Sequence, residues 1–485
     1  MTGERGLIAR HAGTVLVGQL AVMAFGVTDT IVAGRYAESA LAALSVGAAV
    51  FISVFVSLMG VLQALLPVWA ELHGADRRSE VGRSVRQSLY LSAITIAIGM
   101  VVLLFPGAVL RWTQVPPDMR AGVEAYLAVL AFALPPALLF RLFSTLNQSL
   151  GKPQVVTWLQ LGSLFVKLPL SIWFTFGGAG LPAMGLVGCA WATLCVNWAM
   201  LACAAWLLRS SSFYKDYRLW ERIEAPDWRQ IRQFAGLGIP GGLAVLVEVT
   251  SFTLMALFIA RLGTAAAAAH QIASNLLAVA YMVPLSLAIA TSARVSFWLG
   301  AGHAAKARRA CRMGFELTAL CALFFAGAMV ALRFKLAHVY SDNPAVVAIA
   351  AALLLVVAAY HFADALQTLC VFVLRCYRVT LAPLVIYCTL LWGLGLGGSY
   401  LLAYRGLGPW PAMQSPLGVL AHGLGRARGH CSAVRRPAAV DDAAFTSLAA
   451  ALPAPGSPEK PAQSGSPCPP CSRCAVQLRA AAQCA

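Results

Sequence analysis

Eleven stretches of this chain are apolar for long enough to cross a bilayer, near residues 12–34, 40–68, 89–110, 122–146, 155–177, 183–208, 237–260, 265–293, 314–332, 346–374 and 381–404. A helix needs roughly 20 apolar residues to span the hydrocarbon, and every backbone N–H and C=O inside it must be bonded internally. Runs of this length therefore select an all-α polytopic membrane protein. The composition agrees: 60% of the 485 residues are hydrophobic and only 11% are charged, where a soluble domain has about a quarter charged. The opening "MTGERGLIAR" leads straight into the first apolar run, which reads as a span and not as a short, cleavable signal. The thirteen cysteines do not resemble a disulfide framework.

A formal charge of +17 would suit nucleic-acid binding if it were gathered on one face. It is spread over alternate loops instead. "GADRRSEVGRSVR", "KDYRLWERIEAPDWRQIR" and "KARRACR" alternate with nearly uncharged connections such as "FGGAGLPAMG". Before residue 406, and leaving out Lys167, one set of loops holds roughly 21 Lys and Arg and the other about 7. Positive loops stay inside, so the amino terminus is expected to be cytoplasmic and no nucleic-acid partner is expected.

A polar linker over 209–236 divides the chain into an amino-terminal lobe, 1–208, and a carboxy-terminal lobe, 237–416. The halves resemble each other. An offset of 226 lays Arg35 on Arg261, Gly74 on Gly300, Arg83 on Arg309 and Arg86 on Arg312. An even-numbered parallel repeat predicts two pseudo-symmetric six-helix bundles facing each other, a layout in which one bundle moves against the other around a shared site. The carboxy-terminal lobe shows five recognisable helices, and its twelfth is missing. From residue 417 to 485 the chain turns rich in Ala, Pro, Arg and Cys, which reads as a disordered, out-of-frame tail.

Ionisable groups inside the spans are few: Asp29, Lys167, Glu248, Asp364, and His361 one turn before Asp364. Intramembrane charges are costly, face the protein interior and mark ion or substrate pathways. Glu124, Arg141, Arg294 and Glu316 lie near helix ends, where a long side chain reaches the interface cheaply. Glu248 sits mid-span in "GGLAVLVEVTSFTLMALF", and Asp364 follows Tyr360 by four residues on one helical face. A buried carboxyl group of this kind can exchange a proton or stay ionised if a cation neutralises it. Lys167 is too deep to reach water and needs a counter-charge. Asp29 is the acid well inside the spans of the same half, so an Asp29–Lys167 pair is expected, with Ser171 one turn beyond. Gln271 and Asn275, with His361, are candidate cleft-lining groups, although single polar residues more often bridge helices. No Walker A loop and no metalloprotease helix occurs, and no nucleophile–base grouping points to an enzyme. No cofactor or structural metal is expected; the coupling ion would be Na+ or H+, with Glu248 and Asp364 able to hold Na+.

"GQLAVMAFGVTDTIVAG", "GLVGCAWAT", "EVTSFTLMAL", "AAHQIASN" and "YHFADALQ" together resemble the multidrug and toxic compound extrusion (MATE) family, in its bacterial NorM-like branch, from about residue 14 to 416. The resemblance implies twelve helices in two six-helix lobes. It also implies a secondary antiporter of the bacterial inner membrane that exports small organic cations in exchange for Na+ or H+. It places the first-helix acid on Asp29, the seventh-helix acid on Glu248, and the tenth-helix Tyr and Asp on Tyr360 and Asp364, with cation coupling assigned to the last three. Where fifth helices of that branch often read Asn-x-Pro-x-Asn, this chain has Lys167, Pro169 and Ser171, so a lysine stands where a tethered cation could replace a bound one. The expected partners are small organic cations and membrane lipid, and the expected state is a monomer. Two alternatives are a lipid-linked glycan flippase of the same superfamily and a truncated, non-transporting membrane product.

Overall fold

The computed structural model describes residues 2–107, 110, 117–178 and 180–400. The expectation for the tail at 417–485 lies outside the described residues. Helices follow one another as α1 (Thr2–Tyr36), α2 (Glu38–Gln63), the short α3 (Leu66–Gly74), α4 (Arg78–Leu104), α5 (Pro117–Ser149), α6 (Pro153–Phe176) and α7 (Leu186–Ser210). A 3-10 turn, Ser212–Tyr217, leads into the connection to α8 (Trp228–Ala260). Then come α9 (Thr264–Gly300), α10 (Ala304–His338), α11 (Pro344–Cys376) and α12 (Leu381–Tyr387), which runs on into a π-helical stretch, Cys388–Gly397.

Among the described residues ten helical segments are long and apolar enough to cross a membrane, and Leu381–Gly397 forms a shorter apolar one. The helices outrun the apolar segments that announced them. α1 begins at Thr2, α4 at Arg78, α8 at Trp228 and α10 at Ala304. Hydropathy marks only the part that meets lipid, whereas helical hydrogen bonding continues into the polar ends. Proline is carried inside α5 (Pro135, Pro136), α6 (Pro169), α8 (Pro240) and α9 (Pro284), as neighbouring helices in a membrane permit.

α6 shows how such a chain packs. Its buried residues include Thr157, Gln160, Ser163, Lys167, Ser171 and Thr175, a polar stripe at three- and four-residue spacing. Its exposed residues include Trp158, Phe165, Val166, Leu168 and Ile172, with Phe165 78% exposed. In water this distribution would be inverted. In lipid it is the favourable one, because apolar side chains cost nothing outside and polar ones find partners only within the bundle.

The chain forms two compact units. The first takes Met1–Thr250, Tyr281–Thr318 and Thr368–Arg378. Its centre is α5, whose Leu127, Leu130, Leu134 and Leu138 are fully buried among α2, α4 and α7. α1 packs on α6 and α6 on α7. The second unit takes Ser251–Ala280, Ala319–Gln367 and the residues from Val379. Its core is Ala269, Ile272, Ala273, Leu353, Leu354, Val357 and Ala358, with Phe325 and Tyr360 against it.

Within the first unit the internal repeat is visible as reciprocal packing. A Cβ on Gly74 would fall 2.0 Å from the carbonyl oxygen of Phe297, and one on Gly300 would fall 1.9 Å from that of Glu71. Phe297 follows Glu71, and Gly300 follows Gly74, by the same offset of 226. Each glycine therefore touches the repeat partner of the residue that its own partner touches, as a two-fold relation requires. Beside this joint, Glu4 at the start of α1 accepts hydrogen bonds from Arg294 Nε at 2.9 Å, Arg294 Nη2 at 3.0 Å and Trp298 Nε1 at 2.9 Å. Glu316 is paired with Arg5. Arg141 departs from the reading that it reaches the interface, being 6% exposed.

The linker does not hang free. Glu224 accepts from Arg86 Nε at 2.9 Å and from Arg86 Nη2, while Arg86 Nη1 reaches the Arg218 carbonyl. Gln87 donates to Ala225 O at 3.0 Å and accepts from Asp227 N at 2.9 Å. Tyr90 donates to Glu224 O at 2.9 Å. Arg312, which the repeat matches to Arg86, is 85% exposed at its side chain and, among the described residues, pairs along its own helix with Glu316. The linker thus breaks the repeat's symmetry on one side.

Candidate functional site

The sequence places one polar centre on α1, α6 and α7, inside the first unit. Lys167 has no accessible surface, and its ammonium lies 2.8 Å from Asp29 Oδ1 and 3.0 Å from Oδ2. The helices bring it two further acceptors, Thr193 Oγ1 and, at 3.3 Å, the Cys189 carbonyl. Thr193 itself donates to that carbonyl at 2.9 Å, and Ser171 Oγ donates to Asp29 Oδ1 at 3.4 Å. The Phe25 ring lies 6.0 Å from the ammonium. A lysine carries three N–H donors, and three groups meet them: a carboxylate, a hydroxyl and a carbonyl. The neighbouring Thr28 and Thr30 take no part, donating to Ala24 O and Gly26 O of their own helix.

Sequence reasoning singled out Asp29, Lys167 and Ser171 but missed Thr193 and the Cys189 carbonyl. The donor count of Lys167 was the available signal. An enclosed ammonium leaves two N–H groups over once a single acid is found. The fragment "GCAWAT" puts a hydroxyl four residues after Cys189 on one helical face.

A second polar centre lies on α11, in the second unit. Asp364 is 6% exposed, and Tyr360 Oη donates to its Oδ1 at a long 3.4 Å. No salt bridge to Asp364 is among those of the described residues. Tyr360 also packs edge-on to Phe252 of α8, with ring centroids 6.5 Å apart. Glu248, half-buried on α8, belongs to the first unit. His361 is enclosed rather than cleft-lining: it has no accessible surface, it meets Phe325 edge-on at 6.5 Å, and among the described residues neither ring nitrogen has a hydrogen-bond partner. Gln271 and Asn275 of α9 are exposed, and the Gln271 amide donates to Asn275 Oδ1 at 3.1 Å. His270, beside them, is buried and engages Ser274 at 3.3 Å.

The two centres differ in charge. Asp29 is neutralised from within the protein, whereas Asp364 has a phenol as hydrogen-bond donor and, among the described residues, no paired cation. An ionised carboxylate removed from water must be paired or protonated, so the second centre has a demand that an external cation or a proton can meet. Among the described residues no group of three or more His, Cys, Asp or Glu is placed to hold a metal ion.

Comparison with known proteins points one way. The MatE family model matches residues 15–173 and 240–401. The probable multidrug resistance protein NorM of Aromatoleum aromaticum is 37% identical over 403 residues, covering 83% of this chain and 87% of that protein. The multidrug resistance protein MdtK of Yersinia pseudotuberculosis is 33% identical over 389 residues, covering 80% and 85%. Among solved structures, the eukaryotic MATE transporter AtDTX14 superposes with a TM-score of 0.80 at 17% identity, over 92% of this chain and 97% of that one. The Vibrio cholerae MATE transporter VcmN in its bent form gives 0.76 at 18% identity, over 90% and 98%. At such identities the likeness is one of fold.

Proposed function

Because the chain belongs to the MatE family, a family of multi-pass secondary transporters that export drugs and are not enzymes, we propose that it is an antiporter driven by an inward flow of Na+ or H+. Its cargo is a small organic cation, and it works in the bacterial inner membrane as a monomer with its amino terminus in the cytoplasm. The observation that carries this reading is the charge contrast just described. Asp364, buried on α11, has Tyr360 as its hydrogen-bond donor and, among the described residues, no paired cation. Glu248, half-buried on α8, is the second acid of the reading. Asp364 thus offers an acid group that an exchangeable charge can neutralise.

Coupling follows from competition. A carboxylate that binds the inward ion in one conformation and gives it up in the other shifts the conformational equilibrium by the difference in affinity, and by nothing else. An outward-bound organic cation competes for the same charge, and aromatic rings can hold it by their faces. The glycan-flippase alternative would require several free basic groups in the membrane interior for phosphate. Lys167, the ammonium at depth, is already committed to Asp29, which favours the cation exporter.

The test is efflux of a fluorescent organic cation from right-side-out vesicles carrying the full chain, with inward sodium and proton gradients imposed separately. Glu248→Gln and Asp364→Asn should each abolish gradient-dependent efflux. Efflux at the unsubstituted rate in both variants would refute the reading.

A further inference from the structure

We infer that Lys167 is a resident cation filling an oxygen cage that would otherwise hold an exchangeable monovalent ion, so that the amino-terminal helices carry no coupling ion of their own. The inference rests on the antiporter reading for its meaning, but its geometry stands apart from it. The hydrogen-bond partners of the ammonium are all oxygens: both carboxylate oxygens of Asp29, Thr193 Oγ1 and the Cys189 carbonyl. Ser171 Oγ stands 3.4 Å from Asp29 Oδ1, at the edge of the same cage. Carboxylate, carbonyl and hydroxyl oxygens are the ligands that hard metal cations prefer.

Charge selects the valence. The cage contains one carboxylate, and one ammonium cancels it. A divalent ion in place of the ammonium would leave a net positive charge in the low-dielectric interior, which costs several kcal/mol. A second monovalent ion beside Lys167 would meet the same penalty. The cage therefore accommodates one single charge, and Lys167 supplies it. Because the ammonium is tethered, its effective concentration at the cage is that of an intramolecular ligand, millimolar or above. A free ion must outcompete a group that never leaves. Asp29 consequently stays neutralised through a transport cycle, and ion turnover falls to the carboxylates of α8 and α11.

Removing the lysine side chain should convert the cage into a true ion site. The measurement is the thermal unfolding midpoint of the purified full chain as sodium is raised at constant ionic strength, with N-methylglucamine as the balancing cation. Every protein in the series carries Glu248→Gln and Asp364→Asn, so that no response can come from those residues. With Lys167 intact the midpoint should be flat. With Lys167→Ala it should rise by several degrees and saturate, as ligand binding to the folded state requires. Adding Asp29→Asn should flatten it again. A rise with Lys167 intact that Asp29→Asn abolishes would overturn the inference, because sodium would then share the cage with the lysine. So would a flat response in folded Lys167→Ala. If that variant does not fold, Lys167→Gln takes its place, and the series with Lys167 intact decides in either case. Should Glu248→Gln and Asp364→Asn leave efflux unaltered, the antiporter reading fails while these binding results stand.

Discussion

Glu224→Gln should loosen the linker without unfolding the helices. Arg86 is 4% exposed at its side chain and holds Glu224 by two hydrogen bonds, one of them 2.9 Å. Replacing the acid by its amide leaves an almost buried guanidinium short of a charged partner. Hydrogen bonds to charged groups contribute about 1.5–3 kcal/mol. Glu221 remains 3.6 Å away and compensates in part, so the expected cost of local opening is about 2 kcal/mol, or roughly a 30-fold rise in the open population. Trypsin reports it directly, since Lys215, Arg218 and Arg222 are exposed and lie in the segment that opens. Cleavage confined to the linker should speed up by about that factor, and Glu221→Gln added to Glu224→Gln should speed it further.

Acid should act in the same direction. The hydrogen bonds from Arg86 hold the Glu224 carboxyl at about 2, below its ordinary 4.5. A group held low in the folded state stabilises fully above 4.5, and that contribution is lost as the pH falls toward 2. A shift of that size is nominally worth about 3 kcal/mol. Glu224 is 36% exposed at its side chain, so solvent screening reduces this to roughly 1 kcal/mol. Pepsin cleavage of the linker, normalised to an unstructured peptide, should therefore rise between pH 4.5 and 2, and less steeply in Glu224→Gln. Cleavage in Glu224→Gln within threefold of the unsubstituted rate would refute the claim that Arg86 docks the linker.

Three further outcomes follow from the packing. Asp29→Asn and Lys167→Met should each destabilise the protein by about 3–5 kcal/mol, since each strands a buried charge; the double variant should lose much less than their sum, and additive melting shifts would deny the pair. Gly74→Ala and Gly300→Ala each drive a Cβ into a backbone carbonyl within 2.0 Å, so each should lower the melting midpoint, by about 1–3 kcal/mol of stability, and a neutral result at either would contradict the reciprocal joint. Tyr360→Phe removes a long 3.4 Å hydrogen bond and should alter the sodium or pH dependence of efflux only a few-fold (~1 kcal/mol), where Asp364→Asn abolishes it; equal losses would mean that the phenol itself binds the ion.

Some of this was legible in the sequence because it is local. A span must satisfy its own backbone, so its apolar length fixes its existence wherever it ends up, and α1, α2 and α4 to α11 could be read one at a time. The need of Lys167 for an acid could be read as well, because charge is conserved in any packing and Asp29 was the acid at comparable depth. The repeat was legible too, since Gly74 and Gly300 fall at one offset.

Tertiary structure decided which polar groups meet. Thr193 and the Cys189 carbonyl complete the lysine's shell only because α7 lies against α6. His361, one turn from Asp364, turns into packed Phe325 instead of lining a cleft. Arg86 and Arg312 occupy matched places in the repeat, yet one grips the linker and the other lies in solvent. Hydrophobicity is a property of each segment and is spent against the membrane as a uniform solvent. A hydrogen bond or an ion pair needs a particular atom at about 3 Å, and only the assembled helices determine which atom that is.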